Sequence, residues 1–163
     1  IGTEDAFGAE LNVKYDPLDW LVLTTDLNFY RSIIDGNTSV ENLDSKTWTW
    51  TGKLTTKLKL FYDIDFDLTF DYRAPKELPQ GKRKSIWFMD FGVTRDFMDN
   101  TFTVTLSGRD VFNTRMRRMI TRGENFYKNE DFNWHAGQVL LIVNYRFNKE
   151  NKEDMGEGTD SDW

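Results

Sequence analysis

Apolar and polar side chains alternate with a period of two along most of the chain, the pattern of β-strands with two unlike faces. From Ala6 to Tyr15, Phe7, Ala9, Leu11, Val13 and Tyr15 alternate with Glu10, Asn12 and Lys14. After Asp16-Pro17, a second strand from Trp20 to Arg31 sets Leu21, Leu23, Leu27 and Phe29 against Thr24, Asp26 and Asn28. The third, Thr47 to Phe61, sets Trp48, Trp50, Leu54, Leu58 and Leu60 against Thr49, Thr51, Lys53, Thr55, Lys57 and Lys59. A fourth, Ile64 to Arg73, opposes Phe66, Leu68, Phe70 and Tyr72 to Asp65, Asp67, Thr69 and Asp71. The fifth spans Ser85 to Arg95, with Trp87, Met89, Phe91 and Val93 apolar. A sixth is expected from Thr101 to about Arg122, regular only in its first half, and a seventh from about Trp134 to Phe147, where Leu140 and Ile142 interrupt the polar face. No helical period competes in these windows.

Strands with one apolar face suit either a soluble sandwich or a membrane barrel. Two features favour the barrel. Short connections (Asp16 to Asp19, Tyr62 to Asp63, Asp96 to Asn100) alternate with long ones (Ser32 to Lys46, Ala74 to Lys84, Gly123 to Asn133), as periplasmic turns alternate with external loops in outer-membrane barrels. Aromatics also gather at both strand ends. Tyr15, Trp20, Phe61, Tyr62 and Phe97 stand beside short turns, and Phe29, Tyr30, Trp48, Trp50, Tyr72 and Trp87 beside long loops. Such girdles lie where Trp and Tyr prefer the bilayer interfaces. The expected fold is therefore all-β: antiparallel, up-and-down transmembrane β-barrel strands, seven in this chain. A soluble β-sandwich binding module is the minor alternative.

Mean hydropathy of −0.63 does not conflict with this, because only every second residue of a membrane strand meets lipid. No stretch is long and apolar enough for a membrane-crossing helix. Most of the formal charge of −6 sits in residues 148–163, where Glu150, Glu153, Asp154, Glu157, Asp160 and Asp162 face only Lys149 and Lys152. Residues 1–147 are expected to be barrel and 148–163 an acidic disordered periplasmic tail. The near-neutral remainder argues against a nucleic-acid partner.

Candidate chemistry is sparse. Cysteine is absent and His135 is the only histidine, so no metal site or cofactor is expected. Asp65, Asp67 and Asp71 share one face, opposite Lys53, Lys57 and Lys59 of the preceding strand. Cross-strand ion pairing along a wet lumen accounts for them better than acid–base work. Arg115, Arg117, Arg118 and Arg122 form an external basic cluster, read first as a solvated, ion-paired strand extension and second as a contact for an anionic solute or lipopolysaccharide phosphate. Asn37-Thr-Ser39 fits a glycosylation sequon but reads as an ordinary loop. No nucleophile elbow, phosphate loop or nucleophile–histidine pairing is present, so the chain is not expected to be an enzyme.

Alternation makes the first and seventh strands run the same way, toward the short-turn side, whereas single-chain bacterial barrels have even strand numbers. At least one further strand is therefore expected outside this sequence. The segment Leu106-Ser-Gly-Arg-Asp-Val-Phe-Asn-Thr114 resembles the penultimate strand of TonB-dependent receptors, and Val139-Leu-Leu-Ile-Val-Asn-Tyr-Arg-Phe147 resembles their closing strand. Gly8-Ala-Glu-Leu11 with Tyr15-Asp-Pro17, and Tyr72-Arg-Ala-Pro75 with Gln80-Gly-Lys82, are similar to patterns of the outer membrane protein β-barrel family of Bacteroidetes receptors. The resemblance covers about residues 5 to 149.

It implies a place in the bacterial outer membrane, in a barrel of about 22 strands around an N-terminal plug. The implied function is import of a nutrient such as a siderophore or glycan, driven by TonB through the plug. Other implied partners are outer-membrane lipid and lipopolysaccharide, the rest of the same barrel, and the barrel-assembly machinery, which would read Tyr145 and Phe147 as its signal. The family's closing aromatic ends the chain, whereas here residues 148–163 follow it. A structural or adhesive outer-membrane barrel without transport is the competing function.

Overall fold

A computed structural model describes residues 3–36, 44–133 and 135–147. The sequon at 37–39, Trp134 and the acidic segment 148–163 lie outside the described residues. The elements are β1 (Thr3–Leu18), β2 (Leu21–Asp35), β3 (Ser45–Leu60), β4 (Ile64–Arg73), β5 (Lys76–Leu78), β6 (Gly81–Arg83), β7 (Ile86–Phe97), β8 (Phe102–Arg109), β9 (Met116–Gly123), β10 (Phe126–Asn133) and β11 (Gln138–Tyr145). Seven form one antiparallel sheet in the order β1-β2-β3-β4-β7-β8-β11, and the other four form a second sheet in the order β10-β9-β6-β5. The large sheet is open, with β1 and β11 as its edges.

Register carries the two faces across the whole large sheet. Leu11 stands opposite Leu27, Leu27 opposite Gly52, Leu54 opposite Phe70, and Phe70 opposite Met89. Val93 then meets Leu106, and Leu106 meets Leu141. A one-residue slip at any strand would turn its apolar set to the other face, so the shared pattern fixes the pairing. The apolar face is left uncovered: Leu11, Leu27, Leu54, Leu106 and Leu141 are all exposed. The described hydrophobic core is only Ala74 and Phe88, at 5% and 6% exposure.

The second sheet is built from the long connections and folds over the polar face. Thr49 Oγ1 donates to Pro75 O at 3.2 Å, Ser45 Oγ donates to Glu77 O at 3.2 Å, and Lys76 Nζ reaches Glu4 Oε1 at 2.8 Å. Ser45, Thr49 and Glu4 all belong to the polar alternation of their strands. A soluble sandwich packs apolar face on apolar face. Among the described residues no element covers the apolar face, whereas the polar face is roofed, which is the arrangement of a barrel wall with in-folded loops.

Four expectations need correcting. The sixth strand does not run to Arg122. It ends at Arg109, because Asp110 and Asn113 take left-handed conformations (φ 47° and 53°) and divert the chain, and Met116–Gly123 joins the other sheet as β9. The connections 74–84 and 123–133 are not plain loops; they hold β5, β6 and β10. The first turn is Asp19-Trp20, since β1 continues through an irregularity after Tyr15 to pair Leu18 with Leu21. Tyr30 leaves the outer girdle for the polar face, where its ring lies 6.0 Å from Lys76 Nζ.

Candidate functional site

The polar face and its roof make the site. Lys53 stands opposite Asp71, Lys57 opposite Asp67, and Lys59 opposite Asp65. The short connection between β3 and β4, through the left-handed Tyr62 and Asp63, sets this alignment. Only Lys57 and Asp67 come within ion-pair reach, at 4.0 Å, while Asp71 turns to Arg73 at 3.2 Å. The other charges of the row face open space, as side chains lining water do. Near mid-strand a cleft of about 440 Å³ opens over this row, bounded by Asn28, Thr51, Lys53 and Asp71 and reached from above by Arg83 of β6.

Under the roof a second cleft of about 450 Å³ lies between the two sheets. Arg73 comes from the end of β4, Lys76 from β5, Arg83 from β6, and Arg115 and Arg117 from the approach to and start of β9. Ile86 and Phe88 of β7, with Leu78 and Met119 of the roof, form its apolar parts. Arg73 and Arg83 line both clefts, so the two adjoin at these side chains. The Arg115 guanidinium lies 4.3 Å from the centre of the Phe88 ring, a cation–π contact on the one buried aromatic among the described residues.

The sequence-marked arginines divide between the faces of β9. Arg115 and Arg117 turn to the cleft, with Arg117 Nε 3.2 Å from Met119 Sδ. Arg118 donates to Ser85 O at 3.3 Å, and Arg122 lies over Tyr127 at 5.8 Å. None of the four belongs to the ion pairs formed among the described residues. Arg73, Lys76 and Arg83 were missed by sequence reasoning. Strands as short as β5 and β6 show no periodicity; the Pro79-Gln80-Gly81 turn was the available signal.

Lys76 is also the tie between roof and wall. Glu4 Oε1 accepts hydrogen bonds from Lys76 Nζ and from Ser32 Oγ, both at 2.8 Å. These bonds, first from Lys76 and then from Ser32, hold the Glu4 carboxyl below the ordinary carboxylate range. Glu4 lies on the loop side of Phe7, where the aromatic border of the apolar face begins.

The remaining marked residues lie on the apolar face or its ends. Trp48 stacks on Phe29 at 5.0 Å and meets Phe7 edge-on at 5.9 Å. Trp50 packs on Tyr72 at 4.7 Å, and Trp87 on Phe70 and Phe112 at 6.2 and 5.7 Å. Three aromatic groups thus border the loop end. Tyr15 is exposed near the other end, and Trp20 sits in the first turn. Tyr145 and Phe147 meet edge to face at 4.8 Å. Among the described residues no group of three or more His, Cys, Asp or Glu is placed to hold a metal ion.

An uncovered apolar band bordered by aromatics, backed by a charged inner face, defines an outer-membrane type of β-barrel wall. Residues 1–145 match the outer membrane protein beta-barrel family, and the chain belongs to it. No curated protein and no solved structure matches the chain significantly.

Proposed function

We propose that this chain forms wall and loops of an outer-membrane importer of the TonB-dependent kind, passing a scarce nutrient inward along its polar face. The observation that carries this reading is the in-folded roof. It leaves two adjoining clefts between the loop end and mid-strand, where a solute is held before passage. On this reading β1 and β11 pair with further strands of a larger barrel, since open backbone groups in hydrocarbon cost several kcal/mol each. The apolar face meets lipid and lipopolysaccharide, the barrel-assembly machinery recognises the Tyr145–Phe147 end, and the acidic tail lies in the periplasm. The chain performs no catalysis.

The test is capture of the TonB periplasmic domain by the full-length protein in detergent. Saturable capture, lost on deleting the segment upstream of the barrel, is the expected result. A full-length protein that never captures TonB overturns import and leaves the structural or adhesive reading.

A further inference from the structure

We infer that the cleft between the two sheets binds an anionic solute, one carrying a carboxylate, phosphate or sulfonate on an apolar body. The inference rests on the importer reading for its biological sense, but its chemistry stands on the cleft. Five cationic side chains converge there: Arg73, Lys76, Arg83, Arg115 and Arg117. Two have local partners, Arg73 with Asp71 at 3.2 Å and Lys76 with Glu4 at 2.8 Å. Arg83, Arg115 and Arg117 take part in none of the ion pairs formed among the described residues. The cleft therefore carries positive charge in excess of its carboxylates.

Like charges brought together by three separate chain segments repel one another unless an anion joins them. Four of the five are arginines, whose planar donor forks suit two-point recognition of carboxylate or phosphate. Arg115 lies over the Phe88 ring with its guanidinium carbon 4.3 Å from the ring centre, a contact that holds the cation at the cleft without using a carboxylate. Ile86, Leu78 and Met119 supply the apolar surface for the body of the ligand. A free solute is favoured over lipopolysaccharide phosphate, because every wall residue of the cleft belongs to the polar face or to the roof above it. Lipid meets the opposite face.

The register supplies an internal control. Arg83 pairs with Met119 on the cleft side of the roof, whereas the adjacent Lys82 pairs with Ile120 and shares the far side with Arg122. The experiment follows binding of 8-hydroxypyrene-1,3,6-trisulfonate, a soluble aromatic polyanion, to the full-length protein in detergent by fluorescence anisotropy. Saturable binding is expected, weakened at least tenfold in the Arg83→Gln/Arg117→Gln variant and less than twofold in Lys82→Gln/Arg122→Gln. Both variants remove the same charge from the same two strands. Equal losses in the two, or no binding to the unaltered protein, overturn the site.

Arg117 is exposed, so the single Arg117→Gln variant, expected to lose at least threefold, decides the matter if the double variant fails to fold. An unchanged affinity in it also overturns the site. TonB capture separates the two proposals. Capture without anion binding removes this site and keeps the importer, while anion binding without capture removes the importer and keeps the site.

Discussion

Asp110 holds the point at which the chain leaves the wall for the roof. It is 4% exposed, and its carboxylate accepts the backbone N–H of Thr114 at 2.9 Å and that of Arg115 at 3.2 Å. Its own N–H donates to Asp90 Oδ1 at 2.7 Å, and Thr114 Oγ1 donates to Trp87 O at 2.6 Å. An aspartate suits this place because it both tolerates the left-handed backbone and accepts from neighbouring amides. Asp110→Ala leaves the Thr114 and Arg115 amides without that acceptor, at a cost of about 1–3 kcal/mol per buried unsatisfied group. The expected outcome is faster tryptic cleavage at Arg115 to Arg122 with unchanged heat-modifiable migration of the barrel. Asp110→Asn, which keeps one acceptor oxygen, should fall between. The Asp-Val-Phe-Asn-Thr segment was visible in the sequence as a family-like pattern. Its task was not, because the partners Asp90 and Trp87 lie on another strand, β7.

The hairpin of β5 and β6 has little hydrophobic attachment, so its tie to β1 matters more than its length suggests. Lys76 reaches Glu4 across the polar face, and Ser32 completes the carboxylate's bonding. A carboxyl held below its ordinary value contributes fully above the ordinary range and loses that contribution as pH falls through the lowered value. Amide protection in residues 76–83, corrected for intrinsic exchange, should therefore fall on acidification below about pH 4.5, the ordinary value for this group. Glu4→Gln should show the lowered protection already at neutral pH and lose the acid-dependent step. Protection that is independent of pH in the unaltered protein would remove the tie. The long strands were legible because ten or more alternating residues leave no other face assignment, and β4 falls at Ile64–Arg73 as expected. Their lysine and aspartate rows followed from a short turn that sets register. β9 was read as the less regular outer half of the sixth strand and so placed in the wrong sheet, since nothing in the sequence marks the diversion at Asp110 that separates the two. The cationic cleft escaped for the same reason. Its members come from three segments whose closeness depends on how the roof folds back.

At the scale of the whole molecule, the decisive property is which face lacks a protein partner. Leu54 stands at mid-strand opposite Thr25 and Phe70 on the uncovered face, and its neighbour Thr55 stands opposite Thr24 and Thr69 on the polar face. In a bilayer the two positions are one residue apart in sequence and different in solvent. A lysine on the lipid face near the midplane costs about 2–4 kcal/mol, whereas lumen positions accept charge. Leu54→Lys should destabilise the full-length barrel by about that amount in denaturant titrations from lipid vesicles, and Thr55→Lys by less than about 1 kcal/mol. Size alone would rank them otherwise, since Thr55→Lys adds the larger increase in side-chain volume. A sandwich in water would give a related order for Leu54, but it would also leave the protein dispersed without detergent. Aggregation of the unaltered protein on detergent removal, together with the Leu54 and Thr55 asymmetry, therefore identifies lipid as the partner of the apolar face. Equal tolerance at both positions would mean that this face is wet, and the wall would need another explanation for its aromatic border.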